Sequence, residues 1–357
     1  MWQHMSSFSY QLQAKNYSVR FIISSGFRWI EEVNDSIPFY VSTSTNSASI
    51  ILDVISYFFS GRSRYLEIFR QNPPSALLLV SWHPLNFLVA RLVKSLYPDV
   101  PILAWLHEPY KDQKRIYGSK AIIIWLIEWF QSLSLRYIDF IILHSSRGLR
   151  LFEQRYPKFS GGKYLIPLQF KDEELLSLNG KRRYLSFLGR ADRAKGIDLF
   201  FSFVEELAEI AGDWQFQIVT SSNILGHLEK LSPLARQKLW VINKPQLTDR
   251  DLRQAAASSL SVLALYKETM QSGVIPVAWM QGAPVIGTDI EGITEWIRDR
   301  ETGVIVSRSP TAPEIEAAIT YIRTHFDEMS ARCRSAYLSN FDDRNWERYY
   351  GWIEKLI

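Results

Sequence analysis

The chain has 357 residues, 47% of them hydrophobic and 22% charged, so it is long enough for one or two packed domains and is neither disordered nor collagen-like. Its net charge of +4 is too small for wholesale nucleic-acid binding, and its single cysteine, Cys333, excludes a disulfide framework and every multi-cysteine zinc or iron–sulfur site. The charge is one-sided: residues 1–170 hold 18 basic and 11 acidic side chains, which leaves residues 171–357 at −3, so an anionic partner is expected to meet the first half.

The opening Met1-Trp2-Gln3-His4 lacks the basic start and apolar core of a signal peptide. Residues 2–14 read as a helix and Tyr17–Ser24 as a strand. A doubly wound domain normally opens with a strand and a Gly-rich turn, and neither precedes this helix. Either the sequence starts downstream of the true start, or the fold dispenses with that strand. The Ser/Thr-rich stretch Val41–Ser49 reads as a surface loop. Strands are then predicted at Ser75–Ser81, Pro101–Leu106, Phe140–His144 and Lys163–Pro167, with helical patterns between them. The densest apolar run, Ala121–Ile127, stops at Glu128, far short of the ~20 residues of a spanning helix, so a soluble or surface-attached protein is expected.

Between Lys111 and Lys163 stand ten basic and four acidic residues, interleaved with Trp125, Trp129, Phe130 and Tyr137. Either Ala121–Tyr137 is a core helix with a solvated basic rim, or it is an aromatic helix that attaches to anionic lipid. No nucleic-acid-binding motif accompanies the charge. His83 and His144 end strands here, either as ordinary loop histidines or as lining of a cleft.

The polar stretch Lys171–Arg183 separates this half from a second set of predicted strands: Tyr184–Leu188, Trp214–Thr220, Leu239–Ile242, Ser259–Leu265, Ala283–Thr288 and Gly303–Val306. Strands alternating with helices in two sets predict an α/β protein of two doubly wound domains with parallel sheets. The boundaries read as 1–170, 184–339 and a terminal aromatic helix at 340–357.

Two stretches carry chemistry. In "FLGRADRAKGIDLF" a strand ends at Gly189, Arg190 follows at once, and Lys195-Gly196 opens a helix. Ligands of open α/β sheets sit at strand C-termini, and two cations there suit a diphosphate, although a solvated basic turn has the same composition. In "YKETMQSGVIPVAW" a Gln-Ser-Gly turn offers N–H groups and a hydroxyl where a phosphate can dock, or else Ser272 simply caps a helix.

With these two stretches in order, followed by "GAPVIGTD" and "GITEWIRDRETGVIV", the sequence resembles the family 4 retaining glycosyltransferases of the GT-B fold, in their Gln-Ser-Gly subgroup. The resemblance runs through residues 184–306 and is looser in the first half, at "ILAWLHEP" and "IDFIILHSSRGLRLFEQRYP". It implies two Rossmann-like domains facing across a cleft, with an acceptor side at 1–170 and a nucleotide-sugar side at 184–339. The terminal helix would cross back to the first domain. By resemblance, Arg190 and Lys195 hold the donor diphosphate and His107 reaches the reaction centre from the other domain. Gln271, Ser272 and Gly273 face the donor, and Glu295 closes a "GG..E" element whose first Gly is Glu291 here, either as a ligand contact or as a helix cap. Many members carry two glutamates eight positions apart, at places occupied here by Thr269 and Val277. Glu268, one residue off register, stands in for the first.

The resemblance implies transfer of a sugar from a nucleotide diphosphate sugar to a hydroxyl of a glycan or lipid-linked acceptor in surface polysaccharide or glycoconjugate synthesis. The anomeric configuration would be retained, with no metal and no cofactor. Peripheral contact with an anionic membrane at its cytoplasmic face is expected from the charge asymmetry. The alternative is a non-catalytic GT-B protein that binds a sugar nucleotide or a partner enzyme. A Rossmann dehydrogenase is not supported, since no GxGxxG occurs.

Overall fold

The computed structural model describes residues 2–24, 39–43, 54–80, 83–107, 109, 121–173, 175–176, 182–210 and 214–356. Most of the loop predicted at Val41–Ser49 and the basic residues from Lys111 to Lys120 lie outside the described residues. The chain divides into two compact units, Met1–Pro167 with Trp346–Ile357, and Leu168–Asn345.

The first unit opens with α1 (Trp2–Ala14), then β1 (Phe21–Ser24), which pairs in parallel with β2 (Phe39–Thr43). Strand β2 corrects the sequence reading, which placed a loop from Val41. The run Phe39-Tyr40-Val41 is strongly β-prone, and its pairing with β1 carries the strand into the Ser/Thr residues beyond it. A separate parallel sheet holds β3 (Leu77–Val80), β4 (Ile102–Leu106), β5 (Phe140–Leu143) and β6 (Gly162–Leu165) in that order.

A π-helical segment, Tyr57–Gly61, leads into α2 (Arg62–Gln71), followed by α3 (Leu85–Leu96), α4 (Ala121–Ser134) and α5 (Ser146–Arg155). Successive strand residues point to opposite faces, and the packing follows that period. Ile102, Ala104, Leu106, Ile141 and Leu143 meet Tyr65, Phe69, Leu88 and Phe152 of the helices. Leu103, Trp105 and Ile142, on the opposite face, meet Leu12 of α1 and Trp346, Tyr350 and Ile353.

The second unit has one six-stranded parallel sheet in the order β12-β11-β10-β7-β8-β9. Its strands are β7 (Tyr184–Leu188), β8 (Gln215–Thr220), β9 (Leu239–Asn243), β10 (Ser259–Ala264), β11 (Val285–Thr288) and β12 (Gly303–Val306). Its helices are α6 (Ile197–Glu206), α7 (Leu225–Leu228), α8 (Pro233–Gln237), α9 (Asp249–Ser258), α10 (Val274–Met280), α11 (Glu291–Thr294), α12 (Ala312–Thr324) and α13 (Phe326–Asn340). All six residues of β10 are buried, as expected of a central parallel strand covered on both faces.

Three buried polar side chains run across the central strands: Ser259 Oγ donates to Ser186 Oγ at 2.6 Å, and Ser186 Oγ donates to Gln217 Oε1 at 3.0 Å. Each is satisfied, so the chain of bonds ties β10 to β7 and β8 without a desolvation penalty. The sheet order reverses between β7 and β10, which makes the C-terminal ends of these two strands a topological switch point.

The terminal helix predicted at 340–357 is broken. Phe170 N–H donates to Phe341 O at 2.7 Å, and Asp343 N–H to Phe170 O at 3.0 Å, a strand-like bridge that interrupts helical bonding. The chain resumes as α14 (Trp346–Tyr350) and a 3-10 turn at Ile353–Lys355, both within the first unit.

Candidate functional site

Gly189, immediately beyond β7, has φ +90°, which lets the chain turn sharply off the strand end. Arg190 follows with its side chain 80% exposed, and its Nε donates to Asp192 Oδ2 at 2.7 Å. The other Asp192 oxygen accepts the Lys195 N–H at 3.0 Å and so caps the 3-10 turn Arg193–Lys195. Gly196 ends that turn at φ +75°, and a Cβ there would lie 1.9 Å from the Leu265 carbonyl oxygen. Only glycine permits this approach, which lays the turn against the end of β10. Lys267 N–H then donates to Ala194 O at 2.9 Å and stitches the two loops together.

Lys195 extends over the β10 loop. Its ammonium stands 3.9 Å from the centre of the Tyr266 ring and donates to Thr269 Oγ1 at 3.2 Å. Tyr266 is buried, and burial pushes its hydroxyl up to about 12. Ser272 Oγ donates to Tyr266 Oη at 3.2 Å and accepts from Val274 N–H at 3.3 Å, so this hydroxyl is committed inside the loop. Thr269 Oγ1 donates to the Gln271 carbonyl at 2.5 Å. Gly273 is exposed, with no atom within 4 Å of where a Cβ would sit.

Seven of the residues singled out in sequence therefore converge at the ends of β7 and β10: Arg190, Lys195, Glu268, Thr269, Gln271, Ser272 and Gly273. Glu268 is half-buried, and its N–H donates to Ala194 O at 3.4 Å. Glu295 ends the one-turn α11, which touches the same loop: a Cβ on Gly292 would lie 2.4 Å from Thr269 O. Val277 is buried among the apolar residues of α10. Sequence reasoning passed over Tyr266 and Asp192. The readable signals were an aromatic two positions beyond a buried strand and an Asp three positions before Lys195.

His107 belongs to the first unit, just beyond β4. Its ring stacks on His144 at 4.8 Å and 28°, beside Trp105. Burial holds its pKa down at about 4, so the imidazole is neutral near pH 7. His144 is buried, with Nδ1 2.7 Å from Ile166 O. His83 Nδ1 accepts from Leu85 N–H at 3.1 Å, a local bond at the start of α3. Among the described residues no three of His, Cys, Asp and Glu come together to hold a metal ion, and no helix is long and apolar enough to cross a membrane.

Residues 182–324 match the family model for glycosyl transferases group 1. No curated protein matches the chain in sequence. Among solved structures it is similar to HepE of Anabaena in complex with UDP, at 13% identity and a TM-score of 0.68, covering 96% of this chain and 94% of that one. It is similar also to a glycosyltransferase of Rickettsia africae, at 15% identity and a TM-score of 0.70, covering 99% and 93%. A third likeness is the pneumococcal O-GlcNAc transferase GtfA with UDP and GlcNAc, at 15% identity and a TM-score of 0.58; it covers 74% of this chain, which spans only 54% of that protein. These likenesses show the fold, two parallel-sheet Rossmann-like units of the GT-B type.

Proposed function

We propose that the protein is a retaining glycosyltransferase that moves a sugar from a nucleotide diphosphate sugar to a hydroxyl of a glycan or lipid-linked acceptor. The observation that carries this reading is the meeting of the Arg190–Lys195 turn with the Tyr266–Gly273 loop at the sheet's switch point. Two cations on one turn suit a diphosphate, because charge grows on the leaving nucleotide as the glycosidic bond breaks. Lys195 is held for this by Tyr266 and Thr269, whereas the exposed Arg190 pairs with Asp192. The backbone of Gln271–Gly273 faces the donor sugar, Glu268 stands in for the absent motif glutamate, and Glu295 borders the loop. The departing phosphate takes the acceptor proton, so no protein base is required. Support for retention is the Gln-Ser-Gly block, and support for the donor class is UDP or UDP-glucose in the similar HepE structures.

Arg190→Ala and Lys195→Ala should each weaken binding of a nucleoside diphosphate, by about 1.5–3 kcal/mol for a bond to a charged group. Transfer should be nearly abolished while the circular dichroism spectrum stays unchanged. Unchanged affinity in both variants, measured calorimetrically over a panel of nucleoside diphosphates, overturns the assignment. Because Arg190 and Lys195 supply the counter-charge, turnover should survive EDTA; a loss restored by magnesium or manganese would show that a metal shares this role.

A second reading, sugar-nucleotide binding without turnover, is favoured by one observation: Thr269 and the buried Val277 stand where many members carry acids. Tight nucleotide-sugar binding with neither transfer nor hydrolysis would select it. The acceptor, on the proposed reading, is presented at the cytoplasmic face of a membrane, where the basic first half makes peripheral contact.

A further inference from the structure

Among the described residues of the first unit, the helices on one side of its four-stranded sheet carry a surplus of positive charge. One face of the sheet carries α2 to α5, and the other carries α1 and residues 346–357. The four helices hold eight Lys and Arg against three acids, of which Glu128 is buried. Helix α1 has no charged side chain, and residues 346–357 have two of each sign.

The same helical layer exposes large apolar side chains. Ile55, Phe58 and Phe59 are 49%, 68% and 86% exposed, and Trp125 and Trp129 are 55% and 47% exposed. The inward side of the first group is packed, with Tyr57 and Tyr65 buried and their ring centres 6.0 Å apart. Arg62 and Arg64 follow Phe59 within the next turn and a half, both exposed, and no acid lies between Val54 and Leu66. Arg62 and the exposed Arg91 of α3 both act electrostatically on the Tyr57 hydroxyl, which places them at the same tip.

Among its described side chains, helix α4 reverses the usual polarity. Trp125 and Trp129, four apart and so on one face, look outward, while Glu128, Gln131 and Ser134 are buried. Gln131 donates its side-chain amide to the Pro109 carbonyl, and Phe130 packs on Phe87 of α3 with ring centres 6.4 Å apart. A helix against water takes the opposite orientation, because apolar surface left in water is unfavourable.

We propose that the outer surface of the α2–α5 layer seats on an anionic lipid bilayer. Phe58, Phe59, Trp125 and Trp129 would occupy the boundary between headgroups and acyl chains, with Arg62, Arg64 and Arg91 against lipid phosphates. Aromatic rings favour that boundary, where one side is apolar and the other wet. Charge complementarity selects this occupant, since two copies of a cationic face repel one another. The inference rests on the reading that the protein makes peripheral membrane contact, and it names the surface that does so.

The test is flotation of the full chain with phosphatidylglycerol-containing and with pure phosphatidylcholine vesicles, at low and high salt. Wild-type protein should float with the anionic vesicles at low salt only. Phe58→Ser with Phe59→Ser, Trp125→Ser with Trp129→Ser, and Arg62→Glu with Arg64→Glu should each weaken vesicle partitioning about tenfold or more. Nucleoside diphosphate affinity and Tm, read in parallel, should stay at wild-type values. Wild-type flotation that all three double variants retain overturns the surface and leaves peripheral attachment standing. Absence of wild-type flotation overturns attachment and the surface together, without touching sugar transfer. If sedimentation shows a wild-type dimer that the variants convert to monomer without change in flotation, the surface serves self-association and the proposal fails.

Discussion

Single residues at the switch point show how local chemistry is turned to a task. The Lys195 ammonium would be a mobile surface charge on most turns, but Tyr266 and Thr269 hold it from two sides. Gly196 makes that placement reachable, because any side chain there would strike the Leu265 carbonyl. In the first unit His107 illustrates the reverse, a titratable group kept neutral. Its pKa, about 4 against the ordinary 6.5, is set by burial. A histidine lowered on folding binds fewer protons in the native state, so its contribution to stability is present above pH 6.5 and is lost as the pH falls toward 4. An NMR titration should place the His107 imidazole near pH 4, and the slope of stability against pH between 4 and 6.5 should flatten in His107→Asn. A midpoint near 6.5 would show that the ring is solvated.

At the scale of elements, the second unit is tightly capped. Thr248 and Asp251 form a reciprocal capping box at the start of α9, with Asp251 N–H donating to Thr248 Oγ1 at 3.2 Å and Thr248 N–H to Asp251 Oδ2 at 3.0 Å. Lys244 donates to the same carboxylate at 2.7 Å and is the main cause holding its pKa at about 2. A carboxyl lowered on folding stabilises above its unfolded pKa, so this contribution is complete above about pH 4 and fades as the pH falls toward 2. Asp251→Ala should cost about 1 kcal/mol at neutral pH, or about 2–4 °C in the Tm of a unit this size. The gap from wild type should close between pH 4 and 2 in thermal melts; a gap independent of pH would mean that the carboxylate charge contributes nothing.

Element positions were largely legible in the sequence: every strand from β3 to β12 lies within about two residues of its predicted span, because buried parallel strands read as short apolar runs. Strand β2 was hidden by its Ser/Thr ending, and the break at Phe341–Asp342 by its dependence on Phe170, which is far away in sequence.

For the molecule as a whole, the C-terminal segment has a structural role in the first unit. Trp346, Tyr350 and Ile353 are buried against Phe8 and Trp105, and Lys15 pairs with Glu347 at 2.5 Å and Glu354 at 2.7 Å. The Trp352 ring stacks on Tyr164 at 3.6 Å. Fully burying each large apolar side chain contributes about 1.5–3 kcal/mol, so loss of several together exceeds the margin of an ordinary domain. Deletion of residues 346–357 should therefore abolish the calorimetric transition of the first unit while that of residues 168–345 persists. Two intact transitions in the truncated chain would show that the segment is dispensable to the fold.

Composition and periodicity by themselves determined the α/β class, the two sets of strands and the cationic first half, while the family resemblance pointed to most residues of the candidate site. These properties are local, because they depend on neighbours in sequence and on the periods of helix and strand. The tertiary structure decided what depends on distant partners. It brought the Arg190–Lys195 turn onto Tyr266, turned the Ser272 hydroxyl inward and assigned residues 346–357 to the first unit. It also turned α4 so that its tryptophans face out and its glutamate faces in. Hydrophobic pattern alone puts tryptophan inside and glutamate outside. Among the described residues, the packing of α4 on α3 and the bond to Pro109 lie on the covered side of this helix.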